Sequence, residues 1–256
     1  MLENAVLGAA IAFCFAAACS PVGVSGAVFL VPVQVSVLGT PSPSLTPTNL
    51  LYNLIAIPGA LWRYHRAGTL RSRLATTLVL GTLPGVIAGA VIRVELLSGP
   101  EAFYLVIAAL LIPLGAWLAF GTPPRPSARR SLDQRPLVAM SLIVGVVGGI
   151  YGIGGGSILA PVLVGTGFAV AEVAPAALAA TFLTSIAGVV TYALLSIGKG
   201  GEIAPDWIVG ISLGVGGLLG SFVGATLQGR IAEGPLRRTL GVLALILGVR
   251  YAVLGI

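Results

Sequence analysis

Charged residues are distributed so that long apolar stretches alternate with short polar segments. Asp, Glu, Lys and Arg are absent from residues 4–62, 74–92, 102–124, 136–171, 173–198 and 207–229. A helix needs about 20 apolar residues to cross roughly 30 Å of hydrocarbon, whereas transmembrane β-strands have about 10 residues of alternating polarity. These stretches are long and continuously apolar. The pattern therefore predicts an all-α polytopic membrane protein, in which helices bond their own backbone groups.

The composition supports the same class of protein. Of the 256 residues, 57% are hydrophobic and 9% are charged, and the mean hydropathy is +1.04. Soluble domains carry about 25% charged residues, so these values exclude a soluble enzyme, a disordered chain and a nucleic-acid-binding domain. The formal net charge of +6 comes from basic residues between apolar stretches, where such residues indicate membrane topology.

Each half of the sequence opens with an apolar element that is too long for one span. Residues 2–38 would form a helix of about 55 Å. Pro21, Gly23 and Gly26 interrupt this element, and the run Gly148–Gly156 interrupts its counterpart, because proline removes a backbone bond and glycine frees the backbone. We predict two helical hairpins, at 5–20 with 24–38 and at 137–150 with 155–168. Three further spans are predicted after each hairpin, at 47–62, 73–93 and 101–120, then at 173–195, 206–228 and 236–254.

Glycine and proline residues recur at a constant offset, which indicates two copies of one unit. An offset of 129 pairs Gly23 with Gly152, Gly26 with Gly155, Pro32 with Pro161, Gly81 with Gly210 and Gly85 with Gly214. An offset of 135 then pairs Gly99-Pro100 with Gly234-Pro235. We predict a first repeat at 1–121, a basic, Pro/Ser-rich cytoplasmic linker at 122–135, and a second repeat at 136–256.

The number of crossings in each repeat predicts the relative orientation of the halves. A hairpin and three spans give an odd number, so the halves are expected to insert as inverted repeats, as in many secondary transporters. Basic residues concentrate on the cytoplasmic side. Inverted repeats place all but three of the 14 Lys and Arg on one side, whereas parallel halves place all but four there. The three are Arg93, Lys199 and Arg250, and we expect both arginines to extend to the outer interface.

The glycine-rich stretch from Gly152 to Pro161 is the most specific feature for chemistry. Irregular backbone is tolerated inside a bilayer only where it is buried in protein or lines a wet cavity. Helices that begin at these breaks direct free N–H groups and a partial positive charge towards such a cavity. Two opposed N-termini would bind an anion without a basic side chain; the alternative is close helix packing through small residues. The candidate binding residues at the breaks are Ser25, Gly26, Gly154, Gly155, Gly156 and Ser157.

Hydroxyl and amide side chains on the span after each hairpin are expected to complete this site. They are Thr48, Asn49 and Asn53 in the first repeat and Thr181 and Ser185 in the second. Such groups can donate hydrogen bonds to an oxyanion without holding it permanently. Their alternative role is hydrogen bonding between packed helices, which contributes about 0.6 kcal/mol on average.

Ionisable residues are confined to the ends of the predicted spans. His65, Arg66 and Glu172 are therefore the candidates for gating or coupling. No Asp or Glu lies deep in a predicted span, where carriers driven by protons or sodium commonly place one. A single His at a span end also disfavours an intramembrane enzyme, because that chemistry needs a nucleophile and a base.

Five residues of the glycine-rich stretch carry a family resemblance. Gly152, Gly154, Gly155, Gly156 and Pro161 match the pattern G-x-G-G-G-x-x-x-x-P, which resembles the signature of the TauE/SafE family of sulfite and organosulfonate exporters. The first repeat departs from the pattern, whereas the segment 64–68 after the second helix is similar to the family. The resemblance covers nearly the whole chain. It implies a multi-pass protein of the cytoplasmic membrane that transports a small, sulfur-containing anion.

We expect the transport to be export, because an inside-negative potential drives anions outwards by about 2.3 kcal/mol per charge per 100 mV. Anion uptake or a proton-coupled carrier of the same fold is the alternative, and an intramembrane enzyme is a weaker one. The expected partners are the small anion and the lipid bilayer, with no cofactor, metal or nucleic acid. Faces of small residues fit either a homodimer or packing within one chain.

Overall fold

The structure, a computed structural model, describes residues 2–70, 72–97, 99–121, 134–198, 203–230 and 233–254. These residues form ten α-helices and one 3-10 turn (Ser20–Val22), and they contain no strand, as the sequence predicts. The first repeat contains α1 (Leu2–Cys19), α2 (Ala27–Ser36), α3 (Ser42–Arg66), α4 (Arg73–Glu95) and α5 (Pro100–Phe120). The second contains α6 (Gln134–Tyr151), α7 (Gly156–Gly165), α8 (Val170–Gly198), α9 (Trp207–Leu227) and α10 (Glu233–Leu254).

Two helices are about half as long as a membrane span. α2 and α7 have ten residues each and are therefore about 15 Å long, against roughly 30 Å of hydrocarbon. The predicted hairpin arms at 24–38 and 155–168 are longer than these half-helices. Six helices among the described residues are long and apolar enough to cross a membrane. The chain is therefore a multi-pass membrane protein.

α3 and α8 begin earlier than the sequence predicts. They start at Ser42 and Val170 rather than at 47 and 173. Proline lacks the N–H that an interior position of a helix donates. In the structure both helices continue through a proline near their start, Pro47 in α3 and Pro175 in α8. Of the linker predicted at 122–135, residues 122–133 lie outside the described part of the chain. Gln134 and Arg135 are the first two residues of α6.

The repeats pack by a reciprocal exchange of partners. α1 packs against α9, and its counterpart α6 packs against α4. α3 contacts α8 and α9, while α8 contacts α3 and α4; α5 packs against α10. The half-helices instead contact helices of their own repeats, since α2 lies against α3 and α7 lies against α8. Each of these contacts therefore has an equivalent contact when the two repeats are exchanged.

Glycines spaced four residues apart bring the helices into backbone contact at two equivalent interfaces. On α4, Gly81, Gly85 and Gly89 face the carbonyl oxygens of Val138, Leu142 and Val146 in α6. On α9, Gly216, Gly220 and Gly224 face those of Ala9, Phe13 and Ala17 in α1. A Cβ atom at these positions would collide with the facing helix. The glycines thus permit the close approach that stabilises membrane helix pairs in the absence of a hydrophobic driving force.

These contacts correct the register of the repeat. The offset of 129 pairs Gly81 with Gly210 and Gly85 with Gly214, but equivalent packing pairs them with Gly216 and Gly220. The offset of 135 therefore already applies to α4 and α9. The additional residues lie in α8, which has 29 residues against 25 in α3, and in the connection that follows it.

The direction of the helices at these interfaces bears on the orientation of the repeats. Residue numbers rise together along α1 and α9, and along α6 and α4, so each pair is parallel. Successive crossings alternate in direction, so the first and fourth helices of one repeat run antiparallel to each other. α9 is the counterpart of α4, yet it runs parallel to α1, whereas α4 runs antiparallel to α1. This difference is compatible with an inverted arrangement of the repeats.

Arg93 departs from its predicted position at the outer interface. Its side chain is only 3% exposed, because Ser42 and the carbonyl of Leu97 offer hydrogen-bond acceptors inside the protein. Arg250, for which the same position was predicted, is exposed.

Replacing Gly220 with alanine is expected to destabilise the protein. Alanine ordinarily stabilises a helix by about 1 kcal/mol relative to glycine, but here its Cβ would meet the carbonyl of Phe13. We expect a lower melting temperature in detergent. Gly234→Ala in α10 is the matched control, because open space surrounds that position. A melting temperature for Gly220→Ala equal to or above that of the control would contradict the packing.

Candidate functional site

Each half-helix follows a glycine turn of the same construction. Gly23 and Gly152 have φ angles of 80° and 81°, a left-handed conformation that glycine adopts without steric cost. In both turns the residue after the glycine donates its N–H to the carbonyl five residues earlier. Val24 donates to Cys19 and Ile153 donates to Gly148, both at 3.2 Å. This is the bond of a Schellman motif, which ends the preceding helix and reverses the chain.

The starts of α2 and α7 meet at a cluster of Ser25, Asn53, Ser157 and Thr181, which we call the crossing site. The N–H of Ser25 donates to Oγ of Ser157 at 3.1 Å, and its hydroxyl donates to Oδ1 of Asn53. The hydroxyls of Ser157 and Thr181 lie 3.3 Å apart. Nδ2 of Asn53 donates to the carbonyl of Gly152 at 3.4 Å. The crossing site therefore joins both half-helices to α3 and α8.

The motif glycines let the surrounding helices approach the crossing site. A Cβ at Gly26 would lie 2.6 Å from the hydroxyl oxygen of Tyr52, and one at Gly155 would lie 2.5 Å from the methyl carbon of Thr82. Gly154 and Gly156 both pack against Thr181. Close packing, the alternative role of these glycines, thus occurs at the same positions that the sequence predicts for binding.

A second layer of polar groups supports the half-helices. Asn49 donates from Nδ2 to the carbonyl of Ala27 at 3.3 Å and accepts from Nε2 of Gln34 at 2.5 Å. The hydroxyl of Tyr151 donates to the carbonyl of Val28 at 2.6 Å. Gln34 and Tyr151 were not among the residues predicted from the sequence. Both residues are marked in the sequence, because Gln34 is the one amide in the sequence of α2 and Tyr151 directly precedes Gly152.

Two other predicted residues have different surroundings. The hydroxyl of Thr48 donates to the carbonyl of Ser44 and accepts from the N–H of Asp206 at 2.8 Å, so Thr48 joins α3 to the start of α9. Ser185 lies one helical turn beyond Thr181, is fully buried, and has no hydrogen-bond partner for its hydroxyl within the described part of the chain.

The gating and coupling candidates are not brought to the crossing site. His65, Arg66 and Glu172 are exposed. Arg66 lies over the ring of Trp62, with the guanidinium carbon 4.5 Å from the ring centroid. His65 and Arg66 are in the last turn of α3, and Glu172 is in the first turn of α8.

The crossing site is buried and built from neutral groups. Ser25 is 3% exposed, Ser157 is 1% exposed, and Asn53 and Thr181 are fully buried, so this conformation is closed to solvent. Hydroxyls, an amide and two helix N-termini favour a small anion. Across the described ranges, no group of three or more His, Cys, Asp and Glu could hold a metal ion.

Long apolar helices combined with two half-helices that meet at a buried polar cluster define a polytopic membrane protein with the discontinuous helices of secondary transporters. The sulfite exporter TauE/SafE family model matches residues 7–251, and the chain belongs to that family. The family is one of membrane transporters for sulfite or related anions. The resemblance predicted from the glycine motif is thus confirmed. No curated protein matches the chain.

Removing the hydroxyl of Tyr151 is expected to destabilise the first half-helix. In Tyr151→Phe the carbonyl of Val28 loses its donor inside the membrane region, at a cost of about 1–3 kcal/mol. We expect the melting temperature in detergent to fall by several degrees. Tyr251→Phe is the matched control, because the buried hydroxyl of Tyr251 has no hydrogen-bond partner in the described part of the chain and its removal should be neutral or stabilising. A lower melting temperature for Tyr251→Phe than for Tyr151→Phe would contradict the stabilising role of the hydrogen bond between Tyr151 and Val28.

Proposed function

We propose that this protein exports a small sulfur-containing oxyanion, such as sulfite or a sulfonate, across the cytoplasmic membrane, with the crossing site as its binding site. Family membership supports the class of substrate. The bond between the N–H of Ser25 and Oγ of Ser157 supports the location, because it brings the starts of two half-helices together. In α2 the N–H groups of Ala27, Val28 and Phe29 already donate to Ser25 and Gly26, so the ligand is proposed to use the first-turn N–H groups of α7 together with the side-chain donors.

The anion is proposed to replace the hydrogen bonds that close the crossing site. The hydroxyls of Ser25, Ser157 and Thr181 and the amide of Asn53 now bond to one another or to backbone. Each can donate instead to an oxyanion oxygen. Ser185 is proposed to supply a further donor, because its buried hydroxyl has no hydrogen-bond partner among the residues that the structure describes. Neutral donors and helix dipoles hold the anion without an ion pair, so it can also leave.

Alternating access is proposed to arise from movement of the two reciprocal helix pairs. The glycine contacts between α1 and α9, and between α4 and α6, are close enough for each pair to move as a unit. Rocking of these units would open the crossing site to one side and then to the other, as in transporters built from repeats. The closed arrangement described above corresponds to an occluded step of this cycle.

Outward movement follows from the membrane potential. An inside-negative potential favours exit of an anion by about 2.3 kcal/mol per charge per 100 mV, so export needs no coupling ion. His65 and Glu172 are exposed at helix ends, which disfavours a proton relay through the crossing site. Proton-coupled transport is the second candidate, since these two residues are the ionisable groups that the sequence offers for it.

Ser157→Ala is the direct test of the crossing site. Purified wild-type protein in liposomes should move labelled sulfite faster than empty liposomes. The variant should lose most of this flux, because it removes the hydroxyl of Ser157 and with it the acceptor for the N–H of Ser25. Ser141→Ala is the matched control. Ser141 is also a fully buried serine, but its hydroxyl donates to the carbonyl of Leu137 within its own helix, so its flux should match wild type.

Two outcomes would count against this proposal. Wild-type flux in Ser157→Ala would remove the crossing site from the pathway. Absence of sulfite or sulfonate flux in the wild-type protein would remove the proposed substrate class.

The membrane potential separates the two candidate mechanisms. Labelled sulfite should leave wild-type proteoliposomes faster when a potassium diffusion potential makes the interior negative, because the anion carries the charge. A proton ionophore at zero potential should leave the flux unchanged. Flux that instead follows an imposed pH gradient and falls in Glu172→Gln or His65→Gln would establish proton coupling.

A further inference from the structure

Arg93 is a buried cation with an incomplete set of partners. The residue is 3% exposed and lies in the last turn of α4. Its Nη2 donates to the carbonyl and hydroxyl oxygens of Ser42 at 3.0 and 3.1 Å, and its Nη1 donates to the carbonyl of Leu97. The guanidinium carbon lies 4.2 Å from the ring centroid of Phe103. Nε is buried and has no hydrogen-bond partner within the described ranges.

The electrostatic surroundings of Arg93 favour an anion. Among the described residues, the groups that accept hydrogen bonds from the guanidinium belong to Ser42 and Leu97, and none of them is a carboxylate. Arg93 also contacts Ser42, the first residue of α3, where the helix dipole adds partial positive charge. The C-terminal end of α4 compensates for part of this charge. A buried charge without a counter-ion is costly, so a bound anion would stabilise this arrangement.

A second unsatisfied donor lies in the adjoining segment of chain. Thr40, two residues before Ser42, is 5% exposed, and its hydroxyl has no hydrogen-bond partner among the described residues. The first turn of α3 adds little to these donors, because Pro43 has no N–H and the N–H of Ser44 donates to the carbonyl of Pro41. A guanidinium and a hydroxyl in neighbouring segments thus offer unused donors, which suit a small oxyanion.

This location lies at one end of the proposed pathway. Along α3, Ser42 precedes Asn53 of the crossing site by 11 residues, or about 16 Å at 1.5 Å per residue. That is close to half of the hydrocarbon thickness of roughly 30 Å. Polar side chains lie between the two positions along α3, since the hydroxyl of Thr46 donates to the carbonyl of Ile150 and Asn49 donates to the carbonyl of Ala27.

The second repeat carries a neutral residue at the equivalent position. The offset of 135 between α4 and α9 pairs Arg93 with Gln228, whose Nε2 donates to the carbonyl of Pro21 at 2.8 Å. This amide reaches the 3-10 turn, whereas Arg93 reaches the start of α3. The two positions therefore differ in partner as well as in charge.

We propose that Arg93 binds a small oxyanion at a second site, between the start of α3 and the end of α4, through which the anion passes on the outer side of the crossing site. The role in passage rests on the proposed transport function, whereas anion binding at Arg93 does not. Nε of Arg93 and the hydroxyl of Thr40 donate to this anion.

Arg93→Gln tests the proposal in two measurements. The sulfite concentration for half-maximal thermal stabilisation in detergent, and the KM for sulfite flux in liposomes, should both rise about tenfold or more, because a charge-assisted hydrogen bond is lost. Arg93→Lys should give an intermediate value. Arg250→Gln is the matched control, since Arg250 is an exposed arginine near the C-terminal end of α10, and both values should match wild type.

Thr40→Val keeps the test decisive if Arg93→Gln does not fold. Its hydroxyl bonds to no described group, so the variant should fold normally and raise both values about threefold. Wild-type values in Arg93→Gln and Thr40→Val, or no stabilisation of the wild type by sulfite over potassium chloride at equal ionic strength, would overturn the second site. Sulfite stabilisation that depends on Arg93 without any wild-type flux would support the second site and reject the proposed transport function.

Discussion

The rest of this structure depends on the need to bond the backbone at two breaks that lie within an apolar bundle. A carbonyl or N–H without a partner costs several kcal/mol in hydrocarbon. Near the first break, Asn49 and Tyr151 donate to the carbonyls of Ala27 and Val28. Near the second, Thr46, Asn53 and Tyr192 donate to the carbonyls of Ile150, Gly152 and Gly149. Several of these bonds cross between the repeats, so each break is completed by side chains of the opposite half.

Equivalent helix contacts in the two repeats make the fold nearly symmetric, but the residues that surround the two breaks differ between the repeats. The full G-x-G-G-G pattern lies in the second repeat, whereas the amides that face it, Asn49 and Asn53, lie in the first. At the offset of 129 their counterparts are Leu178 and Phe182. Glycine backbone from one half is therefore matched with side-chain amides from the other. Because the two repeats have diverged in this way, the amide side chains of the first repeat fit beside the tightly packed glycine turn of the second.

Features that depend on local sequence could be predicted, whereas helix rotation could not. Apolar length gave the spans, and the runs around Gly23 and Gly152 gave the breaks, because glycine and proline act on their own backbone. The burial of Arg93, the bond of Thr48 to Asp206, and the register of Gly81 with Gly216 depend on which face each helix presents. In nearly uniform apolar helices, polar periodicity carries little information about that face. Ser25 and Ser157 lie at breaks that the local sequence marks, and the N–H of Ser25 donates to Oγ of Ser157 in the structure.

A transport site must also release what it binds, and this constrains where positive charge can lie. Hydrogen bonds between neutral groups in membrane bundles are weak, about 0.6 kcal/mol on average, so an anion can displace those at the crossing site at little cost. A buried arginine among Ser25, Asn53 and Ser157 would instead bind the anion strongly and slow its exit. With the guanidinium of Arg93 at the start of α3 rather than beside Asn53, attraction extends along the proposed pathway while the central site keeps only neutral donors. The separation of charge from the crossing site thus reconciles recognition of an anion with its release.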